Sequence, residues 1–206
     1  GVTFDSDANP SEPAAETLTV DPFPRIISGS DWDDHLEPGL KQRTRALNLF
    51  LEDVYGDQKI LQDDVLPPRL VLDNDSFRRR LHGMKPPGGV YTHIAGIDLI
   101  RDEEGTYRVL EDNLQIPSGV SYMLENRRIL LETFPRLVNE YSLRSIGQYP
   151  DQLLRSLKSL APSGVNDPTA VLLTPGPYNS AYFEHVFLAR KMDIELVKGN
   201  DLYVDD

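Results

Sequence analysis

The sequence has no cysteine, no long apolar run and fewer basic than acidic residues. The absence of cysteine excludes a disulfide framework and any zinc site with thiolate ligands, although it leaves the cellular compartment open. No apolar run approaches the roughly 20 residues that a membrane-spanning helix needs, and no basic stretch followed by a hydrophobic one opens the chain. We therefore expect a soluble, cytoplasmic protein without a membrane partner.

The charge balance narrows the class of partner further. There are 33 acidic and 21 basic residues, which gives a formal net charge of −12. The average field of such a protein repels a nucleic-acid backbone, so we expect no nucleic-acid partner. With 206 residues and 39% hydrophobic side chains, the chain can bury a proper core as one large domain or two small ones. Its four histidines show no spacing typical of zinc ligands.

The first half of the chain begins with a polar segment and continues with helical patterns. Residues 1–24 mix Pro, Ser, Asp and Glu with few apolar side chains, which predicts a flexible arm. From Ser30 to about Gly56, apolar residues recur at helical spacing, and this predicts a helix capped by Ser30. The segment "SFRRRLHG" predicts a short helix capped by Ser76. Two β-prone segments around a charged turn that ends in Gly105 then predict a hairpin.

The second half predicts helices followed by the beginning of a parallel sheet. Helices are expected from Ser118 to about Phe134 and from about Pro150 to Leu160, and residues 161–168, "APSGVNDP", are typical of a linker. Residues 169–206 then predict a strand, a Gly/Pro turn, a helix and a second strand. One parallel pair with one helix cannot cover both faces of a sheet. We therefore expect the rest of the sheet to come from elsewhere in the chain, from a partner or from residues beyond 206.

The predicted hairpin, "GIDLIRDEEGTYRVLEDNLQIPSG", carries polar groups within its apolar arms. If its turn has two loop residues, Glu104-Gly105, then Asp98 lies opposite Glu111 and shares one face with Glu111 and Asn113. An odd loop without a compensating bulge would place Asp98 on the other face. Facing carboxylates repel each other unless a cation lies between them, and oxygen ligands suit Mg²⁺. The alternative is a set of solvated groups on an exposed hairpin.

The segment "LEDNLQIPSG" resembles the end of the ATP-grasp catalytic core, in which an Asp on the neighbouring strand precedes a Glu-x-Asn segment. The resemblance extends through "GLKQRTRALNLFLEDVYGDQKIL", "HIAGIDLIRDEEGTYRVLEDNLQIPSGVSYMLENRR" and "LLTPGPYNSAYFEHVFLARKMDIELVKGNDL", and so covers about residues 25–206. These blocks are similar to the circularly permuted ATP-grasp family (type 2) related to glutathionylspermidine synthases. In that family the metal-binding hairpin precedes the strand-helix-strand domain, and the lobe with the ATP-contacting lysines would lie beyond Asp206.

This resemblance implies a mixed α/β (α+β) fold. An ATP-grasp core segment with the hairpin would occupy residues 25–160, and a Rossmann-like pre-ATP-grasp domain with a parallel sheet would begin at residue 169 and be truncated here. The implied activity is the ATP-dependent joining of a carboxylic acid to an amine through an acyl phosphate. Mg²⁺ and ATP are the implied cofactors, and the implied partners are a small-molecule carboxylate and amine. Asp98 and Glu111 would hold Mg²⁺, with Glu111 bridging two ions, and Asn113 would supply a neutral oxygen. Whether the protein forms a homo-oligomer stays open.

Further polar groups have both a functional and a structural interpretation. The backbone N–H groups at Ser118 and Gly119 could receive a phosphate, or Ser118 could be a plain helix cap. The guanidinium of Arg127 could bind a substrate carboxylate or phosphate, or form a surface ion pair, and the same choice applies to Arg43. Four groups near the strand-to-helix turn in "TPGPYNSAYFEH" could contact substrate or cap a helix: Tyr178, Asn179, Ser180 and Glu184.

Two rival functions stay open at this point. The chain could be a non-catalytic interaction module with a degenerate ATP-grasp fold. It could also be a hydrolase that uses Asp98 and Glu111 as an acid/base pair, although no cluster of aromatic residues near them suggests a sugar-binding cleft. If the ligase interpretation is right, the 206-residue chain alone is expected to be inactive.

Overall fold

The computed structural model of the protein describes residues 3–4, 16–17 and 23–204. The chain divides into two compact units. The first, which we call the hairpin unit, is Ile26–Pro117. The second, which we call the helix-sheet unit, contains the described residues from Ser118 onward together with those up to Arg25. The fold is mixed α/β with an antiparallel and a parallel strand pair, as the sequence predicts.

The hairpin unit consists of a long helix, several short helical segments and the predicted hairpin. Its elements are a π-helical segment Asp31–Leu36, α1 Glu37–Tyr55, α2 Lys59–Gln62, α3 Pro68–Leu72, 3₁₀ turns at Arg79–Leu81 and Pro87–Gly89, β3 Gly96–Arg101 and β4 Tyr107–Asn113. Its buried apolar side chains include Leu36, Val54 and Leu61. Helix α1 ends at Gly56, where an added Cβ would lie 2.6 Å from the carbonyl oxygen of Glu52. The predicted end of this helix is therefore confirmed.

Of two predicted helix starts in this unit, the one at Ser30 is confirmed without its predicted cap, and the one at Ser76 is wrong. Ser30 makes no side-chain cap, and the hydroxyl of Ser28 instead accepts a hydrogen bond from the N–H of Asp31 at 2.9 Å. Ser76 begins no helix, because the segment forms only the 3₁₀ turn Arg79–Leu81. Its arginine side chains bind carbonyl groups of their own loop, as in the 2.7 Å hydrogen bond from Arg79 to the carbonyl of Leu72. These contacts favour an irregular loop over a helix.

The helix-sheet unit contains the predicted strand-helix-strand segment and the helices before it. Its elements are β1 Thr3–Phe4, β2 Glu16–Thr17, α4 Val120–Thr133, α5 Pro135–Glu140, α6 Tyr149–Lys158, β5 Val171–Leu173, α7 Tyr182–Met192, β6 Glu195–Val197 and a 3₁₀ turn Gly199–Asp201. Strands β5 and β6 are parallel, with Leu172 opposite Leu196, and α7 connects them. Pro135 ends α4 as predicted but also begins α5, since proline fits a first helical position.

Two expectations on chain organisation stay predictions. Strands β1 and β2 pair antiparallel, and the rest of the predicted flexible arm up to residue 22 lies outside the described residues. The predicted linker at residues 161–168 lies within the helix-sheet unit, so the division into two units at Pro117 falls elsewhere. In the described part of the chain, no helix combines the length and the apolar character that crossing a membrane requires.

Candidate metal-binding hairpin and associated polar groups

The hairpin β3–β4 places the predicted acidic residues opposite each other. Asp98 pairs with Glu111, and Gly96 pairs with Asn113 two residues further along. Because side chains alternate along a strand, Asp98, Glu111 and Asn113 share one face, which we call the acidic face. The predicted pairing of Asp98 with Glu111 is confirmed. Binding of Mg²⁺ to this face stays a prediction.

The turn that produces this pairing differs from the predicted two-residue loop. Arg101 pairs with Tyr107, and the N–H of Asp102 donates to the carbonyl of Thr106 at 2.9 Å, which leaves three loop residues. The register then shifts, because Leu99 pairs with Val109 whereas Asp98 pairs with Glu111. Leu110 is therefore the extra residue of a β-bulge. The bulge compensates for the odd loop and returns Glu111 to the face of Asp98.

The side chain of Asp102 holds this turn in place. Its carboxylate accepts hydrogen bonds from Arg108 Nε at 2.9 Å and from the N–H groups of Thr106 and Glu104 at 2.7 and 3.1 Å. The hydrogen bond from Arg108 and those from the backbone lower the pKa of this carboxyl group. Gly105 has φ +81°, the left-handed conformation that a three-residue hairpin loop requires at its last position. A glycine also suits the last position of a two-residue loop, so Gly105 alone does not decide the loop length.

The loop after β4 folds back against the acidic face. At Gly96 an added Cβ would lie 2.9 Å from the Cβ of Pro117, so only glycine leaves room for this proline. The amide oxygen of Asn113 accepts hydrogen bonds from the N–H groups of Gln115 and Ile116, both at 3.2 Å. Both lone pairs of that oxygen are therefore directed at the loop. Coordination of a metal ion by Asn113 would require at least one of these bonds to open.

On the opposite face, β4 is attached to helix α1. Asp112, between Glu111 and Asn113, accepts two hydrogen bonds from Arg43, at 2.7 Å from Nε and 2.5 Å from Nη2. The Asp112 side chain is only 15% exposed. The hydrogen bonds from Arg43 lower its pKa. Of the two interpretations of Arg43, the structure shows the ion pair, which fixes the strand that carries the acidic face.

The acidic face is exposed, and its carboxylates have no partner in the part of the chain that the structure describes. Asp98, Glu111 and Asn113 are all solvent-exposed, and the carboxylates of Asp98 and Glu111 form no hydrogen bond or ion pair with any described residue. Within the described residues, no group of three or more His, Asp or Glu side chains is arranged to hold a metal ion. Two unpaired carboxylates with a nearby amide oxygen nevertheless fit Mg²⁺, which typically takes one or two carboxylates and completes its shell with water and phosphate.

At Gly119, one of the two residues of the predicted phosphate site, the N–H is bonded to a carboxylate of the protein. The N–H of Gly119 donates to both oxygens of Glu184, at 2.9 and 3.0 Å. Ser121 donates to Glu184 Oε2 from its N–H at 2.9 Å and from its hydroxyl at 2.6 Å. Gly119, not Ser118, is the residue before the first turn of α4, and no side chain of that turn caps it. The predicted Ser118 cap is therefore wrong, and the N–H of Gly119 is not free for a ligand.

Sequence reasoning missed this role of Glu184, although Glu184 was one of the candidates for helix capping. The contact joins residues 63 to 65 positions apart in the chain, so no local motif indicates it. Glu184 is 7% exposed, and Ser121 is fully buried. Burial, and next the nearby charge of Glu184, raise the pKa of both Tyr122 and Tyr149.

Helix α4 also carries Arg127, the predicted substrate clamp. Arg127 is half-buried and donates one hydrogen bond, from Nη1 to the carbonyl of Arg144 at 3.0 Å. The carboxylates of this helix, Glu125 and Glu132, pair instead with Arg128. The surface ion pair considered for Arg127 is therefore not found among the described residues, and its other N–H donors have no protein acceptor there.

The strand-to-helix turn after β5 is mainly structural. The amide oxygen of Asn179 accepts a hydrogen bond from the N–H of Ala181 at 3.0 Å, which closes a local turn, and no side chain caps the start of α7. Thr174 contacts His185 Nδ1 at 3.0 Å and accepts a hydrogen bond from the N–H of Gly176. Tyr178 is 95% exposed and touches no ring in the described part of the chain.

Comparisons with known proteins match most of the chain to one family and to parts of several longer proteins. Residues 24–206 match the family model described as circularly permuted ATP-grasp type 2. An uncharacterized protein of Mycobacterium tuberculosis is 52% identical over 91% of this chain and 34% of its own length. An uncharacterized protein of Synechocystis is 48% identical over 100% of this chain and 42% of its own. A Frankia alni protein named "Putative glutamate--cysteine ligase 2-3" is 40% identical over 100% of this chain and 24% of its own.

The extent of these matches decides what they establish. The chain spans less than half the length of each of these curated relatives. These matches therefore do not establish the activity or the substrates of the whole protein. The family model, in contrast, covers nearly the whole sequence. The chain therefore belongs to the circularly permuted ATP-grasp type 2 family.

Proposed function

We propose that this chain supplies the Mg²⁺-binding hairpin of an ATP-dependent ligase that joins a carboxylic acid to an amine. The observation that carries the proposal is the pairing of Asp98 with Glu111, which sets two unpartnered carboxylates side by side. Family membership and the printed name of the Frankia relative, a ligase of glutamate and cysteine, support this reaction class. The reaction runs through an acyl phosphate: the carboxylate attacks the γ-phosphorus of ATP and releases ADP, and the amine then displaces inorganic phosphate and loses a proton to form the amide.

Each group of the hairpin unit has a defined part in this proposal. Asp98 and Glu111 hold Mg²⁺, and Asn113 adds a neutral oxygen after releasing a loop N–H. When bound, the ion neutralises charge on the phosphates of ATP. The pair Arg43–Asp112 keeps β4 on α1, so the carboxylates stay in place without help from the ion. No side chain of the chain needs to act as a covalent nucleophile, and catalysis is positioning and charge neutralisation.

In the helix-sheet unit, the proposal keeps Arg127 as a clamp for a carboxylate or phosphate group. Its guanidinium has five N–H donors, and only one hydrogen bond to a described residue uses them. The hydroxyl of the exposed residue Ser118 is the second candidate group there. We do not propose Gly119 as a phosphate ligand, because its N–H donates a hydrogen bond to Glu184.

The test is a comparison of Glu111→Ala with Glu104→Ala in the intact protein. Glu104 lies in the exposed loop of the same hairpin, so its replacement removes the same charge without touching the acidic face. We expect Glu111→Ala to lose Mg²⁺-dependent ATP binding by calorimetry and amine-dependent ADP formation by about 100-fold or more, because replacing even an outer-shell partner of a metal ligand costs about 10–100-fold. Glu104→Ala should behave as wild type. Equal binding and turnover in wild type and Glu111→Ala would refute the ligase proposal and favour an interaction module.

A further inference from the structure

We propose that Glu184 is a positioning residue: an internal anion that fixes the start of helix α4 and keeps external phosphate away from it. Glu184 lies in the first turn of α7, and its carboxylate reaches across to α4. The inference concerns the helix-sheet unit and does not depend on metal binding by the hairpin.

Both oxygens of the carboxylate accept hydrogen bonds from the start of α4. One oxygen accepts from the N–H of Gly119 at 2.9 Å. The other accepts from the same N–H at 3.0 Å and from the N–H and hydroxyl of Ser121 at 2.9 and 2.6 Å. The first N–H groups of a helix have no partner inside the helix, and these contacts provide one. Charge-assisted hydrogen bonds of this length are among the strong ones in proteins.

The charge of Glu184 also suits its position. A helix N-terminus carries a partial positive charge, which an acidic residue in the first turn often balances. Helix α4 has no acidic residue in its first turn and no side-chain cap of its own. Gly119, at φ +105°, turns the chain so that its N–H points at Glu184. The negative charge that α4 lacks locally is therefore supplied by α7.

Burial of Glu184 keeps other anions away from the start of α4. Glu184 is 7% exposed and Ser121 fully buried, so a phosphate would have to displace the carboxylate to reach the same donors. The negative charge of Glu184 would also repel an approaching phosphate. The adjacent rings of Tyr122 and Phe183 stack at 5.3 Å and join the same two helices. The start of α4 is thus set by α7, and Arg127 lies about 12 Å further along that helix.

The experiment is hydrogen exchange of the Gly119–Ser121 region in the intact protein, followed by mass spectrometry. The variants are Glu184→Ala, which empties the anion position, and Glu184→Gln, which keeps the volume and removes the charge. Glu125→Ala is the matched control, because it removes a carboxylate of α4 that pairs with Arg128. Each protein is measured in chloride, in acetate and in inorganic phosphate at equal ionic strength.

We expect exchange in this region to be at least about tenfold faster in Glu184→Ala than in wild type, because the loss of one modest hydrogen bond speeds exchange by about a factor of ten. Acetate or phosphate should slow it again in Glu184→Ala and should have no effect in wild type or Glu125→Ala. Glu184→Gln should be intermediate, with a lowered pKa of Tyr122 and Tyr149 in a spectroscopic titration. Restoration by added acetate identifies a missing anion, which a lost packing contact would not produce.

Two results would overturn the inference. One is exchange at the wild-type rate in Glu184→Gln, which would show that the negative charge is not needed. This result is decisive even if Glu184→Ala fails to fold. The other is protection of the Gly119 region by phosphate in wild type, which would assign the helix start to a ligand. Glu111→Ala should exchange normally in this region, so a failure of the ligase proposal and a failure of this inference are distinguishable.

Discussion

Two groups of carboxylates in this protein have opposite environments. On the acidic face of the hairpin, Asp98 and Glu111 face each other, are exposed, and have no partner among the described residues. At the start of α4, Glu184 is buried and accepts hydrogen bonds from Gly119 and Ser121. The first arrangement places like charges side by side and leaves their oxygens free. The second leaves no oxygen free.

This difference in hydrogen bonding separates carboxylates that can bind a ligand from carboxylates that stabilise the fold. A carboxylate that the fold satisfies contributes to the fold, and its removal leaves buried donors unpaired. A carboxylate pair that the fold leaves unsatisfied contributes nothing to the fold and is available to a cation. Sequence alone suggests a ligand-binding role for both, as metal ligands at Asp98 and Glu111 and as a possible substrate contact at Glu184. The number of protein donors around each carboxylate is what distinguishes them.

The largest expected effect is on stability and compares the two regions directly. Glu184→Ala should lower the free energy of unfolding by at least about 2 kcal/mol, because buried N–H and hydroxyl donors lose their acceptor. Glu111→Gln should leave it unchanged or raise it, because a repulsion is removed. Denaturant unfolding of both variants in the absence of Mg²⁺ measures the difference. A large loss of stability in Glu111→Gln would contradict the division into structural and binding carboxylates.

A smaller effect is expected at Gly96, where the acidic face meets the following loop. The Cβ of Gly96→Ala would lie 2.9 Å from Pro117, so the loop must shift, and overpacking of this kind costs about 1–3 kcal/mol. Gly39→Ala is the control, because it lies in α1 with no atom within 4 Å of the added Cβ. Alanine there should stabilise the protein by about 0.5–1 kcal/mol. Denaturant unfolding that shows equal effects at the two positions would argue against close packing of Pro117 on the hairpin.

The smallest effect concerns the pair Arg43–Asp112 and appears in acid. Folding lowers the pKa of Asp112, so the pair adds stability above the unfolded-state pKa of about 3.9, and this is lost as the pH falls through the lower folded-state value. The difference in Tm between wild type and Asp112→Asn should therefore shrink below about pH 4. Thermal unfolding from pH 2 to 6 measures it, with Glu104→Gln as control. A difference that is constant with pH would show that the pair contributes no pH-dependent stability.

Much of the fold could be predicted because its signals are local. Helical spacing predicts α1 and its end at Gly56, and the Gly/Pro turn after β5 predicts the strand-helix-strand segment. Ser76 shows the limit of such signals, because a serine before a helical pattern cannot reveal that arginines will bind the loop carbonyls instead. Local patterns report what a segment can form, and competing long-range or side-chain contacts decide what it does form.

The candidate site was predictable to the same extent. The residues Asp98, Glu111 and Asn113 come from the alternation of side chains along paired strands, and their register is confirmed. The length of the loop stayed open, because Gly105 suits the last position of a two-residue and of a three-residue loop alike. The cap by Glu184 could not be predicted, since it depends on how α4 and α7 pack and leaves no pattern in either helix alone. The occupied amide oxygen of Asn113 likewise follows from the conformation of a loop.

The bulge at Leu110 gives the hairpin a tolerance that a regular ladder lacks. In a regular hairpin, one residue gained or lost near the turn reverses which face every later side chain occupies. Here the strands can absorb such a change where Leu110 already stands unpaired, before it reaches Asp98. A change of one residue in the turn can therefore be compensated at the bulge, so that Asp98 and Glu111 stay opposite each other.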